Sequence, residues 1–137
     1  MNTKRFTGRE GALVSAEKAF ALTTPHQKKE KDCRERGENF VKAEFFGIHT
    51  FNDMIAMHGE NCVGFRAYYG VCDEDDMDEA VASKGKPLSK KPTPRLVLVP
   101  VDAYGKDLTT SSHVGGMKDM PAQGEVMTGG PLCPNQC

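Results

Sequence analysis

The sequence predicts an α+β fold in which N-terminal helices pack on a small, mainly antiparallel sheet and an irregular C-terminal tail follows. Three observations support this fold class. Residues Val63–Val71 alternate between apolar and small or polar side chains, as a strand with one buried face does. Arg95–Val101 forms a second, largely apolar run, and apolar residues recur at helical spacing before residue 37. We therefore expect the two strands to pair and to form the best-ordered part of the molecule.

The alternation in the first strand assigns its side chains to two faces. The apolar positions, which we expect to face the core, are Val63, Phe65, Ala67, Tyr69 and Val71. Arg66 and Tyr68 fall on the opposite face, which we expect to point into solvent. Leu96–Val99 is apolar at every position, which is typical of a strand that is buried on both faces. A further short strand is predicted within Phe40–Phe46.

Three helices are predicted. Thr7–Glu10 has the Thr-x-x-Glu form of a capping box, which predicts a helix running to about Leu22 with one face in the core. Thr24–Gln27 predicts a second helix start, with Thr as the cap and Pro at the first helical position. Gly37 is a natural end for that second helix. A third, shorter helix is predicted at Thr50–His58.

The chain length predicts one domain. At 137 residues, the chain falls within the usual single-domain range. We expect a helical N-terminal region at residues 1–37, a core of helix and sheet at residues 40–108, and an irregular tail at residues 109–137. Frequent Gly and Pro and few apolar anchors characterise that tail.

The charge balance argues against two classes of partner. The chain has 18 basic and 19 acidic residues, whereas a nucleic-acid-binding domain normally has a basic stripe and an anionic membrane attracts clusters of basic residues. No apolar run approaches the length needed to span a bilayer. The segment near the N-terminus loosely resembles a signal peptide, but Glu17 and Lys18 interrupt it. We therefore predict a cytoplasmic protein that binds neither nucleic acid nor membrane.

The chain has five cysteines, which is an odd number, and their spacing is irregular. They are Cys33, Cys62, Cys72, Cys133 and Cys137. Such a set does not form a disulfide framework, and we expect thiols or metal ligands in a reducing cytoplasm. A β-turn at Pro134-Asn135 would bring the sulfur atoms of Cys133 and Cys137 together. This pair predicts half of a zinc or iron site, completed by Cys62, Cys72 or His113, because a tetrahedral metal site needs four such ligands. The alternative is that both thiols are structural and hold the C-terminal tail in place. We therefore expect no cofactor, and zinc is the alternative to that expectation.

Two other groups of candidate ligands do not satisfy the geometry of a metal site. Cys62 and Cys72 stand at the two ends of the first strand, about 30 Å apart at about 3.3 Å per residue, which is too far to share a metal. Asp73–Glu79 is acidic like a calcium loop, but an EF-hand needs Gly at its sixth position and Glu at its twelfth. Those positions hold Asp78 and Lys84. A solvated acidic loop is the prediction.

Candidate functional residues in the strand point to binding rather than catalysis. The sequence contains no nucleophile elbow, zinc-protease motif, P-loop or dinucleotide fingerprint. Arg66 and Tyr68 share the predicted outer face of the strand, and Arg and Tyr are enriched at protein interfaces. They predict a partner-binding patch. Arg66 could also bind an anion or pair with an acidic residue. The favoured alternative for Arg66 is an ordinary solvent-facing side chain.

The order of three segments resembles that of a known group of proteins. These segments are Cys62–Gly70, Leu96–Asp102 and the closing Cys133-Pro134-x-x-Cys137. The order is similar to that of small, uncharacterised bacterial proteins with a Gly-Ile-Arg-Ile-Tyr-like strand, a later hydrophobic strand and a Cys-Pro-rich end. The resemblance covers about the second half of the chain and implies the strand pairing and a single domain. It implies no activity.

Three functional hypotheses follow. The first is a non-enzymatic binding or assembly module, whose partner is another protein or further copies of the chain. The second is a thiol- or metal-binding protein that uses the C-terminal cysteine pair. A small hydrolase or transferase is the third, because a fold does not dictate a function.

Overall fold

The computed structural model describes residues 3–78, 88–109 and 124–137. Its helices and strands are α1 (Ala16–Gln27), α2 (Glu30–Glu35), β1 (Ala43–Glu44), α3 (Ile48–Ala56), β2 (Gly64–Asp75), β3 (Lys90–Val101) and β4 (Leu132–Cys133). A short 3-10 turn at Gly59–Asn61 precedes β2. In the described part of the chain the strands form two pairs, β1 with β4 and β2 with β3. The α+β prediction is confirmed.

The chain divides into two compact units. The first consists of residues 1–11, 46–68 and 96–129, and the second of residues 12–45, 69–95 and 130–137. Strands β2 and β3 each run through both units. Their antiparallel pairing is seen in the first unit, where Val63 N–H donates to Val101 O at 3.0 Å, and in the second, where Asp76 N–H donates to Ser89 O at 2.7 Å. The prediction of one domain stays a prediction.

The Glu10 half of the predicted capping box forms, but it does not begin a helix. The Glu10 carboxylate accepts hydrogen bonds from the backbone N–H groups of Thr7 and Gly8, at 2.8 and 2.9 Å. The φ angles of Gly8 and Gly11 are +91° and +92°, and this left-handed backbone cannot belong to a right-handed helix. Helix α1 begins only at Ala16, where the Ser15 hydroxyl caps Lys18 N–H at 3.1 Å. The predicted start was therefore wrong.

Helix α1 also differs from its prediction in its length and its burial. Thr24 does not cap a new helix; its hydroxyl donates to Phe20 O at 2.8 Å, and Pro25 lies inside the last turn. None of the residues of α1 is buried, so the predicted core contact of this helix was wrong. A weak helical periodicity of small and apolar side chains does not by itself bring a helix into a core. Gly37, with φ +76°, ends the second helical segment as predicted.

The core of the first unit lies between α3, β3 and the chain near residue 127. Met54, Leu98 and Met127 are buried together. Leu98 and Met127 also exchange two backbone hydrogen bonds, at 2.8 and 3.0 Å. The partly buried apolar side chains packed around them are Phe46, Phe51 and Ile55. The predicted third helix is thus confirmed as a core helix.

In the second unit, the chain's end pairs with the segment before α3. Ala43 lies opposite Cys133 and Glu44 opposite Leu132 in an antiparallel pair. Next to it, a Cβ atom on Gly130 would lie 1.8 Å from Phe45 O, so only glycine allows this approach. The strand predicted within Phe40–Phe46 is present in shortened form.

The predicted faces of β2 hold at Phe65, which packs against Phe51, but not at Tyr69 and Val71. Tyr69 and Val71 are 92% and 73% exposed, although their positions were assigned to the core. The less exposed positions are Gly64, Arg66, Gly70 and Glu74. Alternation shows which side chains share a face, but which face is covered depends on neighbours far away in the chain. On the even-numbered face of β2, Asp107 and Arg95 cover part of the strand through ion pairs with Arg66 and Glu74.

None of the helices in the described ranges 3–78, 88–109 and 124–137 has the length and apolar character needed to cross a membrane.

Candidate functional site

Arg66 and Tyr68, the predicted partner-binding residues, are held by one carboxylate in the first unit. Arg66 Nη1 donates to Asp107 Oδ1, and the Tyr68 hydroxyl donates to Asp107 Oδ2. Arg66 Nη2 also donates to Gly105 O at 3.2 Å. The hydrogen bond with Tyr68, followed by the charge of Asp107, raises the pKa of the Arg66 guanidinium. Both side chains remain partly exposed, so the structure holds them in fixed orientations at the surface.

The odd-numbered face of β2 carries apolar side chains that differ in their surroundings. In the first unit, Phe65 meets Phe51 edge to face, with ring centroids 4.9 Å apart. In the second unit, Tyr69 and Val71 are among the most exposed large apolar side chains described. Exposed apolar groups on an edge strand are typical of sites where another strand docks. Tyr69 and Val71 are the functional candidates that sequence reasoning missed, because their alternation assigned them to the core.

The two C-terminal cysteines lie close together, as expected from a turn at Pro134-Asn135. Cys133 and Cys137 form a disulfide with Cα atoms 4.7 Å apart, and the Cys133–Pro134 peptide is cis. Thiolates are the metal-binding form of cysteine, so a metal would require reduction of this bond. His113, the other predicted zinc ligand, lies outside the described residues. The described ranges 3–78, 88–109 and 124–137 contain no cluster of three or more His, Cys, Asp or Glu suited to a metal.

The remaining cysteines in the described ranges are free, and only one is buried. Cys33 donates to Asn39 O at 3.3 Å. Burial raises the pKa of the Cys33 thiol, which keeps it protonated and unreactive near neutral pH. Cys33 therefore has the properties of a structural cysteine. Cys62 and Cys72 are more accessible.

Arg95 forms a partly buried ion-pair cluster in the second unit. Its guanidinium binds the Glu74 carboxylate with two hydrogen bonds, Nε to Oε2 at 2.7 Å and Nη2 to Oε1 at 2.6 Å. Nη1 donates to Glu44 Oε2 at 3.0 Å and to Gly130 O at 2.6 Å. The Glu44 side chain is only 2% exposed. The cluster joins β1, β2, β3 and the chain before β4.

This arrangement favours charge on all members of the cluster. The hydrogen bonds to Glu74, opposed by desolvation, raise the pKa of Arg95. The same hydrogen bonds lower the pKa of Glu74. A two-pronged arginine–carboxylate pair is among the stronger polar interactions in proteins. Because these groups saturate one another, we interpret the cluster as structural.

A depression of about 370 Å³ lies next to this cluster in the second unit. Asn39, which lines it, is buried and donates to Asp75 O at 2.9 Å and to the Thr93 hydroxyl at 2.7 Å. Its side-chain oxygen accepts from Met77 N–H at 2.8 Å. The amide is therefore fully occupied by internal hydrogen bonds. Asn39 is thus a structural side chain of this depression.

Sequence reasoning raised the pairing of Arg66 with an acidic residue, which the structure shows, but it did not identify the acidic partners of Arg66 and Arg95. Asp107 is 41 residues from Arg66, and Glu44 is 51 residues from Arg95. The only available signal was the presence of single Arg residues inside otherwise apolar strands, since a charge there needs a partner. The presence of such an Arg does not identify which acidic residue is its partner.

Comparison of the chain with protein-family models, curated proteins and solved structures finds no match in any of the three.

Replacing Arg95 with Met should destabilise the protein by about 3–5 kcal/mol, because a buried carboxylate loses its guanidinium partner. Denaturant unfolding of the purified protein measures this free energy. Arg34→Met is the matched control: Arg34 makes ion pairs with Glu30 and Asp78 at 3.2 and 3.5 Å but is 46% exposed. Its loss should cost about 0–1 kcal/mol. Equal costs for the two variants would contradict the structural role of Arg95.

The ion pair of Glu74 should make stability depend on pH in the acidic range. Since Arg95 lowers the pKa of Glu74 in the folded state, its stabilisation is complete above the unfolded pKa of about 4.3 and is lost as pH falls through the folded pKa. The difference in unfolding free energy between wild type and Glu74→Gln should therefore be constant above about pH 5.5 and shrink below about pH 4. Glu35→Gln, on the exposed surface of α2, is the control. A difference that grew on acidification would refute the assignment.

Proposed function

We propose that this protein is a non-enzymatic binding or assembly module that contacts a protein partner or further copies of itself through strand β2. One observation carries the proposal: Tyr69 and Val71, in the middle of the strand, are 92% and 73% exposed. Covering such groups releases about 25 cal/mol for each Å² of apolar surface removed from water. Tyr is also one of the side chains enriched at protein interfaces.

The state of Arg66 and Tyr68 supports their proposed role as partner-binding residues. Asp107 and Gly105 O hold the two side chains in place. A side chain that is already ordered loses less conformational entropy when a partner binds. The guanidinium edge and phenol ring can therefore contribute contacts at low entropic cost.

Substitution of Tyr69 tests the proposed function. Tagged protein would be incubated with an extract of the source cells, and retained proteins would be quantified by mass spectrometry. Tyr69→Lys should lower recovery of the specific partner, or of untagged copies of the chain, at least about tenfold, which corresponds to about 1.4 kcal/mol of binding.

Phe20→Lys is the matched control, since Phe20 is 68% exposed on α1 rather than on β2. It should leave recovery unchanged. Circular dichroism must show the same secondary structure for both variants. Recovery that is insensitive to Tyr69→Lys would refute the proposal.

A second candidate function is thiol or metal chemistry at the C-terminal pair. The closeness of Cys133 and Cys137, whose Cα atoms are 4.7 Å apart, favours it. We propose a cytoplasmic location, where a reducing environment would convert this pair to thiols. Two thiolates would supply half of a tetrahedral zinc site, with His113 proposed as a further ligand.

Metal analysis of reduced protein tests this second candidate. After reduction and incubation with zinc, wild-type protein should retain about one zinc ion per chain through dialysis, as expected for a tetrahedral site. Cys133→Ser should abolish retention, and the control Cys72→Ser should not. Wild-type protein that retains no zinc would rule out the metal site.

A further inference from the structure

We propose that the partner of β2 is a second copy of this chain, paired antiparallel along the free edge of the strand about a twofold axis at Gly70. This inference rests on the proposed function and names its partner. It follows from three properties of β2: its open edge, the positions of its exposed apolar side chains and the distribution of its charges.

Strand β2 has an edge available for pairing. Within residues 3–78, 88–109 and 124–137, β3 is the only strand that is hydrogen-bonded to β2. On the other edge of such a strand, alternate N–H and C=O groups have no strand partner. The strand covers 12 residues, Gly64–Asp75, and a long edge of this kind is a template for another strand.

Symmetry limits the registers that two copies can adopt. A twofold axis perpendicular to the sheet keeps each face on its own side, and directly opposite residues in an antiparallel pair share a face. Opposite residue numbers must therefore differ by an even number, and the axis must pass beside a residue of β2. Each choice of that residue gives one register.

Only one of these registers pairs the two most exposed apolar residues of β2, Tyr69 and Val71, with each other. With the axis at Gly70, Tyr69 lies opposite Val71 of the second copy, and the pair occurs twice. With the axis at Tyr69, Val71 lies opposite Ala67 instead. With the axis at Val71, Tyr69 lies opposite Asp73. Pairs of an aromatic and a β-branched side chain stabilise antiparallel strands, so the apolar pattern selects Gly70.

The charges of β2 select the antiparallel direction. Arg66 stands near the start of the strand, whereas Asp73–Asp75 is acidic at its end. A parallel pair in register would bring the two acidic ends together, which costs free energy. In the antiparallel register about Gly70, position 66 lies opposite position 74. The acidic ends of the two copies then lie at opposite ends of the paired strands rather than beside each other.

Disulfide crosslinking tests the register. Two chains with different tags, both carrying Cys62→Ser and Cys72→Ser, would contain either Tyr69→Cys or Val71→Cys. Directly opposite residues have Cα atoms about 4.5–5.5 Å apart, within the range that disulfides span. Under mild oxidation the mixture should give a crosslinked heterodimer at least about five times more abundantly than either chain alone, since diagonal neighbours are about 7–8 Å apart.

The other crosslinking outcomes contradict this register. Efficient crosslinking of the Tyr69→Cys chain alone would place the axis at Tyr69, and efficient crosslinking of the Val71→Cys chain alone would place it at Val71. The absence of any crosslink would exclude the pairing altogether.

Analytical ultracentrifugation of the wild-type chain tests the dimer itself. We expect a reversible monomer–dimer equilibrium whose dissociation constant rises at least about tenfold in Tyr69→Lys and in Val71→Lys, but not in Phe20→Lys. A dimer insensitive to both β2 substitutions would overturn the inference.

A wild-type monomer at every concentration would also overturn the inference. If such a monomer still retains a different protein in a Tyr69-dependent manner, the proposed function stands without self-association. If it retains none, both proposals fail.

Discussion

The antiparallel pairing of β2 and β3 is the constraint on which the other features of the chain depend. It uses the backbone hydrogen bonds of one edge of β2 and leaves the other edge open in the described residues. It also sets the faces of the strand. One face places Arg66 and Glu74 against their ion-pair partners, and the other places Tyr69 in solvent. The exposure of Tyr69 and the ion pairs of Arg66 and Glu74 thus both follow from the pairing of β2 with β3.

Charged groups cover the even-numbered face of β2, whereas the sequence predicted that apolar packing would cover the odd-numbered face. A small protein can bury an arginine when carboxylates and carbonyl groups satisfy its donors. Arg95 meets that condition with Glu74, Glu44 and Gly130 O. Such a cluster stabilises little relative to a well-packed apolar core, but breaking it is costly. It therefore favours one arrangement of its strands, while Tyr69 and Val71 on the opposite face are exposed.

Prediction from the sequence succeeded where local pattern decides structure. The two long strands, the helix at Ile48–Ala56 and the helix end at Gly37 follow from side-chain periodicity and from the backbone freedom of glycine. It failed at the N-terminus, where Glu10 accepts its capping bonds without a helix. A cap satisfies backbone donors in a turn as well as in a helix, so the motif does not by itself determine which of the two forms.

The sequence by itself determined that Val63–Val71 is extended, that Arg66 and Tyr68 share one of its faces, and that Cys133 and Cys137 can meet across a short turn. These are local properties, set by the two-residue repeat of a strand and by the short span of a turn. Only the tertiary structure decided which face of β2 is covered, because Asp107, Glu44 and Arg95 come from segments far away in the sequence. A local sequence pattern does not identify partners that are so far apart in the sequence. The strand that the sequence predicts is therefore present, but Tyr69 and Val71, which were assigned to the core, are exposed on it.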